Sequence, residues 1–517
     1  MMRLLSGLFA VVVAVSMVAA DDGPDESKAI AKIELLGGKV TRDESLPGHP
    51  VVAIDFRGNN RISDGFLRLV LSFTRLTSLN LEGTRITDAG LKEIRDLKSL
   101  NSLNLNETKV SDVGLGELSE LNNLTSLSLN GTNLTNAGTK EIHKLTSLTT
   151  IDLGGTQVTD EGVIELCKLS NLTTLWLWGN KITDAAMTEI KKLKSLKSLV
   201  LWSAAITDAG VEEIGDLQDL STLSLVNAQI TDLGLKDVGR LKNLTVLNLY
   251  GTRITNFGMT EVAGLTKLTE LWLTNTQISD AGLKEIRGLK QLSILYLVNT
   301  PITDRGLREI RGLNNLTKLY LLRTKITDDG MKELSELKSL TELWLDGTQI
   351  TDAGLKDLSE LDNLEMLSLD SMKLTKVGLK DLSGLKSLKR LMLASTPIAD
   401  DDLRELSQLS NLTSLNLAGT KNITDVGLRH LGGLKHLTAL NLSGTPISGV
   451  GFQDLRNLNT LATLHLRQTS VTDDGMQEIS EMKTMTSLDL GHTQITDAGL
   501  KDIDKLTNLT TLFVNGN

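Results

Sequence analysis

The 517-residue sequence predicts an α/β solenoid of about 20 stacked units. Three observations predict it. A short phrase, L-x-L, recurs through most of the chain at a step of 24 residues. Apolar residues three apart follow each recurrence, so a strand alternates with a helix. Aromatic residues make up only 3% of the chain, so Leu and Ile must build the interior.

Residues 1–20 come first. Arg3 precedes an apolar run that ends in Val18-Ala19-Ala20. This is the pattern of a cleavable secretory signal. The run is shorter than the ~20 residues that a membrane span needs, and no cysteine follows the cleavage site to take a lipid. Removing Arg3 with the signal would leave a net charge of −11 from the whole-chain −10. The expected destination is the periplasm, the cell surface or the medium. Residues 21–53 read as an acidic linker, DDGPDES, and an N-terminal cap. In the cap, Ala29, Ile30, Ile33, Leu35 and Leu36 predict a helix, with strands after it. Residues 54–517 form the repeat array.

The first apolar residue of L-x-L stands at Leu79, Leu103, Leu127 and Ile151, and so on to Leu415, always 24 apart. Ile54 lies 25 before Leu79, Leu440 lies 25 after Leu415, and Leu464, Leu488 and Leu512 complete the series. A typical unit is LTSLNLEGTRITDAGLKEIRDLKS, residues 76–99. Its L-x-L has period two and predicts a short strand. Leu91, Ile94 and Leu97 line one helical face, and Thr87-Asp88 supplies cap oxygens to the helix start. No unit buries its own apolar face, but stacked units do. The last strand, at Leu512, has no separate cap after it and is expected to fray or to pair with another molecule.

These repeats resemble leucine-rich repeats. The phrase L-x-x-L-x-L-x-x-T-x-I-T-D-x-G-L is similar to repeats of secreted bacterial proteins, notably those of planctomycetes. The segments GGKVTRDES and PGHPVVAIDF also resemble the lead-in of such proteins. T-D-x-G-L is similar as well to repeats of F-box substrate receptors, but the sequence holds no F-box. The resemblance implies a right-handed, curved horseshoe, with parallel strands on the concave face and helices on the convex one.

Composition narrows the function. A net charge of −10 offers no basic field to nucleic acid. One cysteine, Cys167, excludes an internal disulfide framework and a cysteine-rich zinc site; as a thiol on the helix side it has no catalytic partner. There is no phosphate loop, no G-x-S-x-G, no H-E-x-x-H and no pair of catalytic carboxylates. No enzyme activity, cofactor or metal is therefore expected.

The candidate binding residues emerge from the outward columns of the strands. The position between the two leucines holds Trp176, Trp272, Tyr296, Tyr320 and Trp344; the position after the second leucine holds Trp178, Trp202 and Tyr250. These are all five tryptophans and all three tyrosines of the chain, so chance placement is a poor account. Val200, Val226, Val298, Leu322 and Met392 share the face, while Asn80, Asn104, Ser128, Asp152, Asn416, Asn441 and His465 make the middle column polar on either side. At ~4.8 Å per strand the patch spans roughly 34 Å. Patches of that size mark contact sites, and Trp and Tyr dominate binding hot spots. The alternative role is cross-strand stacking that stabilises the sheet.

Other columns have structural readings. The row Asp88, Asp112, Asp160, Asp184, Asp208, Asp232 and Asp280 could form a calcium rim, but helix capping explains it better; Lys376 and Gly449 interrupt it. Thr84, Thr108, Thr132 and Thr156 predict a hydroxyl ladder between turns; Asn180, Ala204, Ala228 and Met372 break the column, and water or local irregularity is expected at the two alanines, which cannot make those bonds. His465, Arg467, Asp489 and His492 approach one another across two units and are read as solvated polar side chains rather than a metal or acid–base site. The N-L-T sequons, such as Asn123, Asn171 and Asn411, belong to the repeat.

The sequence thus predicts an exported binding protein that recognises a protein or peptide through the aromatic patch, with Glu270, Lys318, Glu342, Asp346 and Arg390 as a charged surround. Carbohydrate binding and a self-associating scaffold are the alternatives.

Overall fold

The computed structural model describes residues 26–203 and 205–516. The expected signal segment, residues 21–25 of the linker, Ala204 and Asn517 lie outside the described residues. The chain divides into two compact units, one up to Ile182 and the other from Thr183. The repeat phrase itself runs past this boundary unchanged.

The first unit opens with the helix Glu26–Leu35, which buries Ala29 and Ile33. Leu35 is 84% exposed, so the expected apolar stripe ends one turn early. The strand Lys39–Arg42 then pairs antiparallel with Val51–Asp55. From Val51–Asp55 onward the ladder is parallel and stays in register, with Ile54, Leu79, Leu103, Leu127, Ile151 and Leu175 as successive partners. In the second unit the parallel ladder runs from Ser198–Trp202 to Thr511–Phe513, again with the L-x-L leucines opposite one another. All three residues of the last strand are exposed.

Register follows from packing. Leu79, Leu81, Ile86, Leu91 and Ile94 are at most 1% exposed, and Leu97 is 5% exposed. A slip of one residue would turn every inward leucine to solvent. Most helices are seven residues long, such as Asp88–Ile94, so Leu97 packs from just beyond the helix. Asp400–Gln408 and Val450–Leu455 tighten into 3₁₀ turns.

Most of the parallel strands leave the face through a turn whose key residue has positive φ. Glycine suits this position without a β-carbon clash, as at Gly83 with φ 67°. Glu107, Arg323 and Gln468 adopt the same conformation despite their β-carbons.

The threonine column works within one turn rather than between turns. Thr84 Oγ1 donates to Leu81 O at 2.6 Å, and Thr324 Oγ1 to Leu321 O at 2.6 Å. Ala228 lacks the hydroxyl, yet its N–H reaches Leu225 O at 3.2 Å, the distance of Thr84 N to Leu81 O. The expected irregularity at Ala228 is absent because backbone bonds close the turn. At Met372 the same backbone bond, to Leu369 O, is 3.3 Å. Asn180 does bridge two turns, donating to Leu153 O at 2.8 Å and accepting from Thr156 Oγ1 at 3.3 Å.

The aspartate row also differs from its expected form. Thr87 caps its own helix by accepting from Ala89 N. The Asp88 carboxylate instead reaches the next unit: Ser111 N donates to Oδ1 at 2.8 Å and Ser111 Oγ to Oδ2 at 2.6 Å. The Asp112 carboxylate grips Thr135 in the same way and also accepts from Gly138 N at 3.0 Å. Each carboxylate therefore caps the helix after its own. The clamp also explains the glycine of T-D-x-G: a β-carbon at Gly306 would lie 2.6 Å from Asp280 Oδ1.

Candidate functional site

Successive outward positions of an in-register parallel sheet stand one strand spacing apart, close enough for rings to stack. In the second unit four of the candidate rings do so. Trp272 and Tyr296 have centroids 3.6 Å apart at an interplanar angle of 18°, Tyr296 and Tyr320 lie 4.1 Å apart at 9°, and Tyr320 and Trp344 lie 5.8 Å apart at 26°. The interior rings cover one another's faces and are only partly exposed. This row serves the sheet as well as presenting an aromatic edge.

Carboxylates hold the row's polar ends. Trp272 Nε1 donates to Glu270 Oε1 at 2.6 Å. Glu342 Oε1 accepts from Tyr320 Oη at 2.8 Å and from Trp344 Nε1 at 2.9 Å, while Lys318 Nζ lies 3.2 Å from Oε2. Burial pushes the Glu342 carboxyl up, but the bonds from Trp344, Tyr320 and Lys318 outweigh it and its net shift is downward. Burial, together with the hydrogen bond to Glu342, drives the Tyr320 hydroxyl far above its ordinary range. Three members of the expected charged surround, Glu270, Lys318 and Glu342, thus orient the rings.

Trp202 and Tyr250 lie outside the stack. Trp202 is 49% exposed. Trp202, Tyr250 and Trp272 wall an open cavity of about 510 Å3, with Asn227, Asn248 and Asn275 among its lining. The residue in register with Trp272 on this side is Asn248, so the ring row ends here. Val200, Val226, Val298, Leu322 and Met392 are half-buried on the same face. A larger hollow, about 640 Å3, includes Glu365, Lys389, Thr413 and Thr438. Those groups are engaged with one another: Lys389 pairs with Glu365, Thr413 Oγ1 donates to Lys389 O and Thr438 Oγ1 to Thr413 O.

In the first unit Trp176 is 38% exposed. Trp178 lies on Gly154, where a β-carbon would run into the indole. Asp152, expected to face solvent as a polar member of the middle column, is 6% exposed, and burial pushes its carboxyl up against the lowering effect of Gly154 N–H.

Beyond the row, Asp346 Oδ1 accepts from Ser368 Oγ at 2.6 Å and from Asp370 N at 2.8 Å. Its Oδ2 is buried and makes no hydrogen bond among the described residues. Burial raises the Asp370 carboxyl to about 6; Ala394 N–H opposes the rise and the Asp346 charge adds to it. Periodicity gave no signal for this pair, because an outward aspartate reads as solvated.

His465 and Asp489 are register partners, and Asp489 Oδ1 accepts from Gly491 N at 2.9 Å. Among the described residues no three His, Cys, Asp or Glu side chains are grouped to hold a metal. Cys167 is half-buried at the end of the helix Asp160–Leu166. The sequon amides are structural: Asn123 Nδ2 donates to Lys98 O and Asn411 Nδ2 to Lys386 O, both at 2.8 Å. Among the described residues no helix is long and apolar enough to cross a membrane.

Three family profiles match the sequence. "Leucine Rich repeats (2 copies)" matches residues 146–192 and 242–285, and "Leucine rich repeat" matches 74–134. "Leucine Rich repeat" matches 312–335, 336–359, 408–432, 433–455 and 481–503. No curated protein matches the sequence. Among solved structures, TLR13 in its complex with ssRNA13 is 22% identical at a TM-score of 0.53, over 86% of this chain and 68% of that one. An internalin (inlF) of Listeria monocytogenes is 24% identical at a TM-score of 0.47, over 66% of this chain and 95% of that one. The plant peptide hormone receptor RGFR1, in complex with RGF2, is 20% identical at a TM-score of 0.40, over 86% and 87%.

Proposed function

Taking the chain as the leucine-rich repeat protein that these matches show it to be, we propose that it is an exported, non-enzymatic binding protein whose aromatic strand face recognises a protein or peptide. The observation that carries this reading is the aromatic row and its adjoining cavity in the second unit. A rigid stack ends beside a half-exposed tryptophan, so the face is both preorganised and open. Trp and Tyr anchors of this kind dominate protein contacts. Trp176 adds an exposed indole in the first unit. The export half of the proposal rests on residues 1–20.

Carbohydrate binding needs exposed ring faces for a sugar to lie on. Tyr296 and Tyr320 have their faces against neighbouring rings, so the interior of the row offers a sugar ring edges rather than faces.

The test is affinity capture from envelope and medium extracts with residues 21–517. A second bait carries Trp176, Trp202, Trp272 and Trp344 changed to Ser, matched for folding by circular dichroism. A partner held by the first bait and lost by the second supports the reading. Equal capture by both baits, or competition by soluble glycans alone, overturns it in favour of a scaffold or a glycan binder.

A further inference from the structure

We infer that the cavity between Trp202 and Trp272 is an anchor site for an arginine side chain of the partner. The inference rests on the recognition reading above and names the chemistry of its central contact.

The ring row supplies the first reason. Trp272 stacks on Tyr296 on one side, and on the other its register partner is Asn248, with no ring. The stack therefore stops at the cavity, and Trp202 and Tyr250 stand across from it. A flat group inserted there continues the stack by one member. A guanidinium is flat and stacks on indole and phenol faces.

Charge supplies the second reason. The outward positions of Ser198–Trp202, Thr222–Val226, Val246–Asn248 and Glu270–Trp272 contain one charged residue, Glu270, and no Lys or Arg. The Lys318 ammonium, further along the row, is paired with Glu342. Glu270 stands outside the cavity's lining, but its Oε1 accepts the Trp272 indole N–H, which fixes a carboxylate beside a ring that walls the cavity. A carboxylate accepts bonds on both oxygens and can receive a guanidinium N–H in addition. The net charge of −10 adds attraction over distance. Asn248 Oδ1 already accepts from Tyr250 N at 3.0 Å and Asn275 Oδ1 from Asn299 Nδ2 at 2.7 Å, but an amide oxygen has a second lone pair to offer a group with five donors.

The probe is N-acetyl-L-argininamide, titrated calorimetrically into the full chain. Its controls are the citrulline analogue, which keeps the shape and loses the charge, and chitotriose as a neutral sugar. The expected result is saturable binding of the arginine probe about tenfold tighter than its citrulline analogue. Trp202→Ala should lower that affinity about tenfold and Glu270→Gln roughly three- to tenfold, with Asn441→Ser, on the strand Ala439–Asn441 outside the aromatic patch, leaving it unchanged. Equal binding of the two analogues, loss of binding in none of the cavity variants, or binding of chitotriose in place of the arginine probe overturns the inference. A peptide-display selection on the same protein separates this failure from that of the wider reading. Selected peptides that need Tyr320 but neither arginine nor Trp202 leave recognition standing and remove the arginine anchor. A selection that returns no binder, together with no probe binding, overturns both.

Discussion

The Asn136 amide and the Thr159 hydroxyl meet in the reverse sense from every Asp–Thr clamp around them. Thr159 N donates to Asn136 Oδ1 at 2.9 Å, but Asn136 Nδ2 donates to Thr159 Oγ1 at 2.8 Å. Thr159 then makes no cap bond to its own helix. The same happens at Asn256 and Ser279, where Asn256 Nδ2 donates to Ser279 Oγ at 2.8 Å and the cap bond is again missing. With aspartate the hydroxyl donates and keeps a lone pair for the helix N–H, as Ser111 does for Val113 N. Asn136→Asp and Asn256→Asp should each restore the cap and raise stability by about 1 kcal/mol at neutral pH. Thermal unfolding of the single and double variants checks this; no rise in Tm refutes the clamp account.

The clamp also requires a missing β-carbon. Gly306→Ala would place that carbon 2.6 Å from Asp280 Oδ1 and 3.0 Å from Ile302 Cγ2. We expect a loss of roughly 1–3 kcal/mol, although alanine is the better helix former by about 1 kcal/mol. Urea denaturation of Gly306→Ala beside Gly65→Ala, an open position in the 3₁₀ helix Asp64–Ser72 with nothing within 4 Å, separates the clash from helix propensity.

Rings inside the stack and rings beside it should respond differently. Tyr320→Ala removes two ring contacts and the bond to Glu342, and should cost about 1–3 kcal/mol. Trp202→Ala should change stability by only about 0.5 kcal/mol or less, because the ring is half-exposed and lies outside the stack. Equal destabilisation by both would assign Trp202 to the sheet rather than to a ligand.

Two carboxylates predict opposite pH effects. Hydrogen bonds from Thr496 N–H and Oγ1 hold Asp473 below the ordinary carboxylate range, so its contribution is present at neutral pH and is lost as pH falls through its lowered pKa. Asp370 is raised to about 6 from 3.8. The unfolded chain ionises there first, so stability falls as pH rises from about 4 to about 6. Asp370→Asn should therefore raise stability by about 1 kcal/mol at pH 7.5, allowing for partial solvent screening, and change little at pH 4. Unfolding of both proteins across pH 4–8 reads the difference.

The turn after each strand gives a further case. Arg323 holds φ 55°, a conformation that costs a residue with a β-carbon roughly 1 kcal/mol. Arg323→Gly should recover up to about 1 kcal/mol, less the added entropy of the unfolded chain. A drop in stability would show that the arginine side chain makes a contact worth more than the strain.

The 24-residue period was enough, by itself, to determine the strands, their parallel register and the inward leucines. Only one register of Leu79, Leu103 and Leu127 buries every apolar side chain, so periodicity and the hydrophobic effect leave no second solution. It also placed Trp272, Tyr296, Tyr320 and Trp344 in one column. Tertiary structure alone decided what those columns do. Whether a ring is covered depends on the side chain in the next strand: Tyr296 covers one face of Trp272, while Asn248 leaves the row open at the cavity. Whether Asp88 serves its own helix or the next depends on where Ser111 comes to rest, a distance set by stacking and not by spacing along the chain. The burial of Asp152 and the proximity of Asp346 to Asp370 arise in the same way. A strand pattern says which side a residue faces, but only packed neighbours decide how much water remains there.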